Sequence, residues 1–195
     1  MLEQFRRGLL TRNERQETIE SAGPLVFGSR LRSGRFPGAY RAILYEKGAW
    51  VLHMLRGKLG DEAFFGLLRS LSDDFDQKEL TVDGFRAAAA QRLPGGAGDP
   101  ELRDFFDQWV YNTGIPGFRA QWSQEGDALT GILRQADVAD HAGYEVTLRA
   151  FLQSGETMDF VVVTEGSETE FAVRAAGKVQ RVAVDPERKL LRAGR

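Results

Sequence analysis

Hydrophobic residues recur every three or four positions through the first half of the chain. In residues 39–60, AYRAILYEKGAWVLHMLRGKLG, this spacing predicts one amphipathic helix. Its expected apolar stripe consists of Leu44, Gly48, Val51, Leu52, Leu55 and Leu59. Gly60 is expected to end the helix and Asp61 to cap the next one, which should end near residues 72–76. The apolar positions of this second helix are Phe64, Phe65, Leu67, Leu68 and Leu71.

Two more helices follow with their own start signals. Thr81 is expected to cap a helix over VDGFRAAAAQRL, and the Gly-rich stretch at 94–98 is expected to be a flexible link. The pair Asp99-Pro100 should open a fourth helix that ends before Gly114. The aromatic face of this fourth helix comprises Leu102, Phe105, Phe106, Trp109 and Val110.

From Phe118 onward the pattern changes to short β-branched or alternating runs separated by turn residues. The runs are FRAQWS, ALTGILRQ, YEVTLRAFL, MDFVVVT, TEFAVRA, VQRVAVD and a short LLR. Such spacing predicts an antiparallel β-sandwich of about seven strands. We therefore expect an α+β fold, with an all-helical subdomain over residues 1–115 and a β-sandwich domain over residues 118–195.

Composition excludes several classes of protein. The 195 residues carry a net charge of −2, which disfavours a large electrostatic attraction to nucleic acid. The sequence has no apolar run long enough to span a membrane, and the charged residues 1–20 do not resemble a signal peptide. Cysteine is absent, so a disulfide, a thiol nucleophile and a thiolate metal site are all excluded.

The histidines do not form a metal-binding pattern. There are two, His53 and His141, and they fall in different predicted domains. The H-E-x-x-H motif, which places two imidazoles on one helical face toward zinc, is missing. We predict no metal site and no cofactor in this chain, with His53 packed in its helix and His141 on the surface.

Several polar and aromatic residues allow a binding role. Arg30, Arg32 and Arg35 could grip an anion or a peptide carboxylate, although a charged loop is more often solvated. Trp109 and Tyr111 could form a peptide-binding patch, although core packing is the more common use of such a face.

Tyr40 and Tyr45 stand out because they open the predicted helix 39–60. Burial of a phenol is favourable only when its hydroxyl has a partner. On the residues alone, Tyr45 is interpreted as a buried or interfacial tyrosine with a satisfied hydroxyl.

Four segments together resemble the aminopeptidase N family of gluzincin zinc metallopeptidases. The first is the stretch from Tyr40 to Leu55, which contains YEKGAWVLHML; LGDEAFFGLLRSL, LTVDGFRAAAAQ and LRDFFDQWVYNTGIPGFRAQW then follow in the family's order and spacing. The final VAVDPERKLL resembles the close of the family's β-sandwich. The resemblance covers most of residues 24–192.

The resemblance implies a role for the tyrosines. In that family, zinc is held by the two histidines of H-E-x-x-H and a downstream glutamate, and the glutamate of the motif is the general base. A tyrosine matching Tyr45 donates its hydroxyl to the developing oxyanion, and Tyr40 is a possible assistant. This chain resembles only the part that follows the zinc ligands and the base.

Two interpretations follow. The leading one is the C-terminal fragment of a zinc aminopeptidase-like metallopeptidase, which supplies Tyr45 and one cleft wall and is inactive alone. Its implied partners are the missing zinc-binding part of the parent and a peptide substrate. The alternative is a non-catalytic binding or scaffold module that retains the same fold.

Overall fold

A computed structural model describes residues 1–32, 34–74, 79–94, 99–137 and 143–194. The chain divides into two compact units, Met1–Gly114 and Ile115–Arg195. The predicted Gly-rich link at 95–98 and the predicted surface residue His141 lie outside the described residues. The predicted end of the second helix, near residues 72–76, is also only partly described.

Helices are the main elements in the described part of the first unit, which also has an isolated antiparallel bridge between Arg12 and Thr18. Two 3₁₀ segments, Glu20–Ala22 and Leu25–Leu31, precede the tyrosine-bearing helix. The α-helices are α1 (Leu2–Leu9), α2 (Ala39–Arg41), α3 (Gly48–Leu59), α4 (Asp61–Asp74), α5 (Val82–Ala90) and α6 (Asp99–Phe106). Two π-helical turns complete the unit: Ala42–Lys47 joins α2 to α3, and Asp107–Tyr111 continues α6.

The buried side of the helix formed by α2, the π-helical turn and α3 differs from the predicted stripe. Leu52 is exposed, and Leu44 and Gly48 are only half-buried. The buried residues are Ala39, Ile43, Lys47, Trp50, Val51, Met54, Leu55 and Leu59. Half of the predicted stripe, namely Val51, Leu55 and Leu59, is therefore confirmed as core, whereas the other half lies beside the buried face. The prediction also missed a lysine in the core.

The helix boundaries follow local signals, with one correction. Gly60 ends α3 with φ 80°, a left-handed value that glycine adopts easily. Asp61 is the first residue of α4, not its cap, and its carboxylate accepts hydrogen bonds from Arg56 at 2.8 and 2.7 Å. Thr81 does cap α5, because its Oγ1 accepts from the amide of Gly84 at 3.1 Å.

The second unit contains two three-stranded antiparallel sheets. Its strands are β1 (Gly117–Glu125), β2 (Ala128–Ala136), β3 (Glu145–Leu152), β4 (Thr157–Val163), β5 (Glu168–Arg174) and β6 (Val179–Val184). The strand orders are β1-β2-β5 and β4-β3-β6. Buried positions alternate with less buried ones, as in β3, where Val146, Leu148, Ala150 and Leu152 are buried and the residues between them are half-buried.

The α+β fold class, with helices first and two antiparallel sheets second, is confirmed. Six strands are found in the described part, where about seven were expected. The short run at 190–192 is not a strand, and only an isolated bridge between Gly117 and Ala193 forms near it. None of the described helices is long and apolar enough to cross a membrane.

The second unit should lose stability in acid because two carboxylates paired with Arg149 become protonated. Arg149 donates to Asp159 at 2.6 Å and to Glu187 at 2.7 Å, and it lowers the pKa of Asp159. Lys189 and then Arg149 lower the pKa of Glu187. A carboxyl group with a lowered pKa stabilises the fold above its ordinary pKa, and this stabilisation is lost as pH falls. We expect Arg149→Met to flatten the decline of melting temperature below about pH 4.5.

Thermal melts between pH 7 and pH 3 test this expectation. The matched control is Arg181→Met, because the Arg181 guanidinium lies 3.9 Å from the ring of Phe151 and makes no described contact with a carboxylate. An equal decline of melting temperature with falling pH in Arg149→Met and in the unmodified chain would contradict the stabilising role of Arg149.

Candidate active site around Tyr45

The π-helical turn brings the two tyrosines together. At 3.6 residues per turn, positions five apart point about 140° away from each other, so a regular α-helix would separate Tyr40 from Tyr45. A π-helical turn has i→i+5 hydrogen bonds, which bring residues five apart toward one side. The rings of Tyr40 and Tyr45 are 6.4 Å apart and edge to face. The turn Ala42–Lys47 therefore creates an aromatic pair.

Tyr45 is oriented outward. Its side chain is 64% exposed, and within the described part of the chain its hydroxyl makes no hydrogen bond. Tyr40 is half-buried beneath it. Of the two alternatives expected from the residues alone, a buried tyrosine is not found, and an interfacial one stays a prediction. Among the described residues, the Tyr45 phenol is a donor without a partner on the surface of this unit.

The three arginines of the preceding segment each stack on an aromatic ring. The guanidinium carbon lies 4.7 Å from the Phe27 ring centre for Arg30, 4.2 Å from Tyr40 for Arg32 and 5.4 Å from Phe36 for Arg35. Arg35 also pairs with Glu17. Arg32 thus contacts one ring of the tyrosine pair, which the interpretation of these arginines as a solvated charged loop did not predict.

A buried ion pair involves Lys47, two residues after Tyr45. Lys47 is fully buried and its Nζ donates to Glu20 Oε1 at 2.7 Å and to the carbonyl of Asn112 at 3.1 Å. Glu20, only 2% exposed, also accepts from the amide of Gly114 at 2.9 and 3.1 Å. Four groups from three distant segments are therefore joined by direct hydrogen bonds.

This cluster fixes the end of the π-helical turn that carries Tyr45. Lys47 is the last residue of that turn, Glu20 lies in a 3₁₀ segment, and Asn112 follows the second π-helical turn. A buried charge is tolerated only when it is paired and hydrogen-bonded, so the backbone around Lys47 has little freedom to shift. The sequence signal for this was available: Lys47 lies four residues after Ile43 and four before Val51, on one helical face.

Helix α1 holds the other side of the same helix. Trp50 is 1% exposed and its Nε1 donates to the carbonyl of Leu2 at 2.9 Å. Gly8 allows the Glu46 carboxylate to lie close, since a Cβ at Gly8 would be only 2.7 Å from Glu46 Oε2. The helix next to Tyr45 is therefore braced by α1 as well as by the ion pair.

The remaining candidates lie outside the tyrosine pair. His53 packs edge to face on Trp50, with ring centres 5.5 Å apart. Trp109 is 2% exposed, which confirms it as core together with the rest of its aromatic face. Tyr111 donates to Asp83 at 3.2 Å, and burial, with the negative charge of Asp83, raises its pKa. Among the described residues, no group of three or more His, Asp or Glu side chains could hold a metal ion.

Comparison with known proteins supports the fold. No family model matches the chain, and no curated protein sequence matches it. The crystal structure of Legionella pneumophila aminopeptidase A in complex with aspartic acid is similar over 84% of this chain, with a TM-score of 0.60 and 15% sequence identity. The chain spans 18% of the length of that protein. This distant similarity shows an aminopeptidase-like fold.

Breaking the buried ion pair should destabilise the helical unit strongly. Lys47→Met would leave Glu20 as a buried carboxylate without its cation, which typically costs about 3–5 kcal/mol. The double variant Lys47→Met/Glu20→Leu removes both charges and should be clearly more stable than Lys47→Met alone. Urea denaturation followed by tryptophan fluorescence measures both, because Trp50 and Trp109 are buried in this unit.

The comparison of the single and double variants decides the result. Both variants lack the contact between Lys47 and Asn112, so a double variant that is less stable than Lys47→Met would show that the hydrogen bonds from Gly114 to Glu20 matter more than the uncompensated charge.

Proposed function

We propose that this chain is the C-terminal fragment of a zinc aminopeptidase-like metallopeptidase, in which Tyr45 is the donor that stabilises the oxyanion formed during peptide-bond hydrolysis. The observation that carries the proposal is the exposed hydroxyl of Tyr45, which has no partner among the described residues and is held on a braced π-helical turn in an aminopeptidase-like fold. The family motifs around Tyr40 and Tyr45 support it.

The chemistry requires a donor of this kind. Attack of water on a peptide carbonyl builds negative charge on the carbonyl oxygen, and a preplaced hydrogen-bond donor lowers that barrier. A phenolic O–H donates without carrying a charge. The Glu20–Lys47 pair and α1 limit movement of the backbone that bears Tyr45, so the donor needs little reorganisation. Tyr40 supports the ring of Tyr45 from one side.

The described residues of this chain do not fit a zinc ion. They contain no cluster of three potential ligands, and a structural or catalytic zinc needs at least three protein ligands. We propose that the metal and the general base belong to the part of the parent protein that this chain does not include. That part and a peptide substrate are the proposed partners.

The isolated chain should accordingly bind no zinc with useful affinity. Metal analysis of the purified chain after dialysis against a zinc buffer is the measurement. Competition for zinc between the chain and a chromogenic chelator is the second readout. One tightly held zinc per chain would contradict the proposal that the ligands lie elsewhere.

Tyr45→Phe in the parent enzyme should lower kcat on the order of 10²–10³-fold with a much smaller effect on KM, because the lost hydrogen bond strengthens mainly in the transition state. Melting temperature should hardly change, since the Tyr45 hydroxyl has no partner in the described structure. Steady-state kinetics on a chromogenic aminoacyl substrate, with zinc content measured in parallel, gives the result.

Tyr40→Phe is the matched control. It keeps the ring that contacts Tyr45 and Arg32, so its effect on kcat should be below about tenfold. Near-normal turnover in zinc-loaded Tyr45→Phe would contradict the proposal that Tyr45 stabilises the oxyanion. The coding sequence upstream distinguishes the metallopeptidase from the alternative. If it has no in-frame H-E-x-x-H, a non-catalytic binding or scaffold module becomes the better interpretation.

A further inference from the structure

We infer that Arg32 is a carboxylate-binding residue beside the tyrosine pair, and that it selects peptides with a free carboxylate within about three residues after the scissile bond. The carboxylate is either the C-terminus of a short peptide or an acidic side chain. This inference rests on the proposed function of Tyr45 for its link to catalysis, whereas the binding site itself stands on the contacts of Arg32.

Arg32 is held in a way that leaves its hydrogen-bonding edge free. Its guanidinium carbon lies 4.2 Å from the centre of the Tyr40 ring. Stacking on an aromatic ring uses the planar face of a guanidinium, while its N–H donors point outward from the edge. Two of these donors match the two oxygens of a carboxylate in a bidentate pair. The Tyr40 ring therefore orients Arg32 before a ligand arrives.

The charge of Arg32 is also unused by the rest of the described chain. Its side chain is exposed, and it makes no hydrogen bond or ion pair with any described residue. Arg35, three residues later, pairs with Glu17. Arg30 donates to the carbonyl of Phe27 at 3.4 Å and stacks on the ring of the same residue. Of these three arginines, only Arg32 combines contact with the tyrosine pair and an unpaired charge.

The distance to Tyr45 limits the ligand. Arg32 lies 4.2 Å from the Tyr40 ring, whose centre is 6.4 Å from that of Tyr45. The guanidinium is therefore within about 11 Å of the Tyr45 ring, and an extended peptide advances about 3.3–3.6 Å per residue. A substrate whose carbonyl oxygen reaches Tyr45 would place a carboxylate at Arg32 no more than about three residues further along.

Kinetics on paired substrates test the selection. Tripeptides and tetrapeptides are compared as free acids and as C-terminal amides in the parent enzyme. Arg32→Gln should raise KM for the free acids roughly 10- to 100-fold, as expected for loss of a hydrogen-bonded charge pair, and leave the amides unchanged. Arg30→Gln is the matched control, because Arg30 is stacked in the same manner away from Tyr40, and it should change neither series.

A binding measurement on this chain separates the inference from the proposed function. Acetyl-dialanine is titrated as the free acid and as the amide while backbone amide NMR signals are followed. The free acid should shift the signals of residues 32, 40 and 45 in the unmodified chain and in Arg30→Gln, but not in Arg32→Gln. The amide should shift none of them.

The outcomes are distinct. Equal effects of Arg32→Gln on acids and amides, or free-acid shifts that persist in Arg32→Gln, would overturn the carboxylate site even if Tyr45→Phe abolishes turnover. Normal turnover in Tyr45→Phe, together with Arg32-dependent binding of the free acid, would overturn the proposed function and leave the carboxylate site in place.

Discussion

The buried pair of Lys47 and Glu20 is the interaction on which the helical unit depends. A lysine with 0% exposure is unfavourable unless its charge is paired and hydrogen-bonded. Here Lys47 donates to Glu20 and to the carbonyl of Asn112, and the amide of Gly114 donates to the Glu20 carboxylate. One charge pair therefore joins segments that lie 27 and 65 residues apart along the chain.

The same constraint explains how an exposed tyrosine can be held in place. The backbone of a surface residue is normally mobile, because few buried contacts restrain it. Tyr45 lies two positions before Lys47 in the same π-helical turn, so the buried pair restrains its backbone while its side chain stays exposed. The turn also places Tyr40 under Tyr45, which an uninterrupted α-helix would not do.

The sequence predicted the elements better than it predicted their faces. Caps and periodicity located α5 through Thr81 and the six strands through alternation, since these signals are local. The π-helical turn was missed because it has no distinct composition. Leu52 was wrongly expected in the core because it lies one position after the buried Val51, at the edge of the buried face. Glu20 was missed because its partner is 27 residues away, and no local pattern connects a carboxylate to a distant lysine. Tyr40 and Tyr45 were found from the residues, whereas the approach of their rings to 6.4 Å depends on the π-helical turn.

Two cations near this site are used in opposite ways, and their surroundings explain the difference. Lys47 donates to the carboxylate of Glu20 and the carbonyl of Asn112, so its charge is paired within the fold and fixes the backbone around these residues. Arg32 lies on an aromatic face at the surface, where stacking fixes its plane without neutralising its charge. A single cation could not fulfil both tasks, because a paired charge no longer attracts a ligand and an unpaired one cannot be buried. The division between Lys47 inside and Arg32 outside is therefore what allows a braced helix to present an open polar surface around Tyr45.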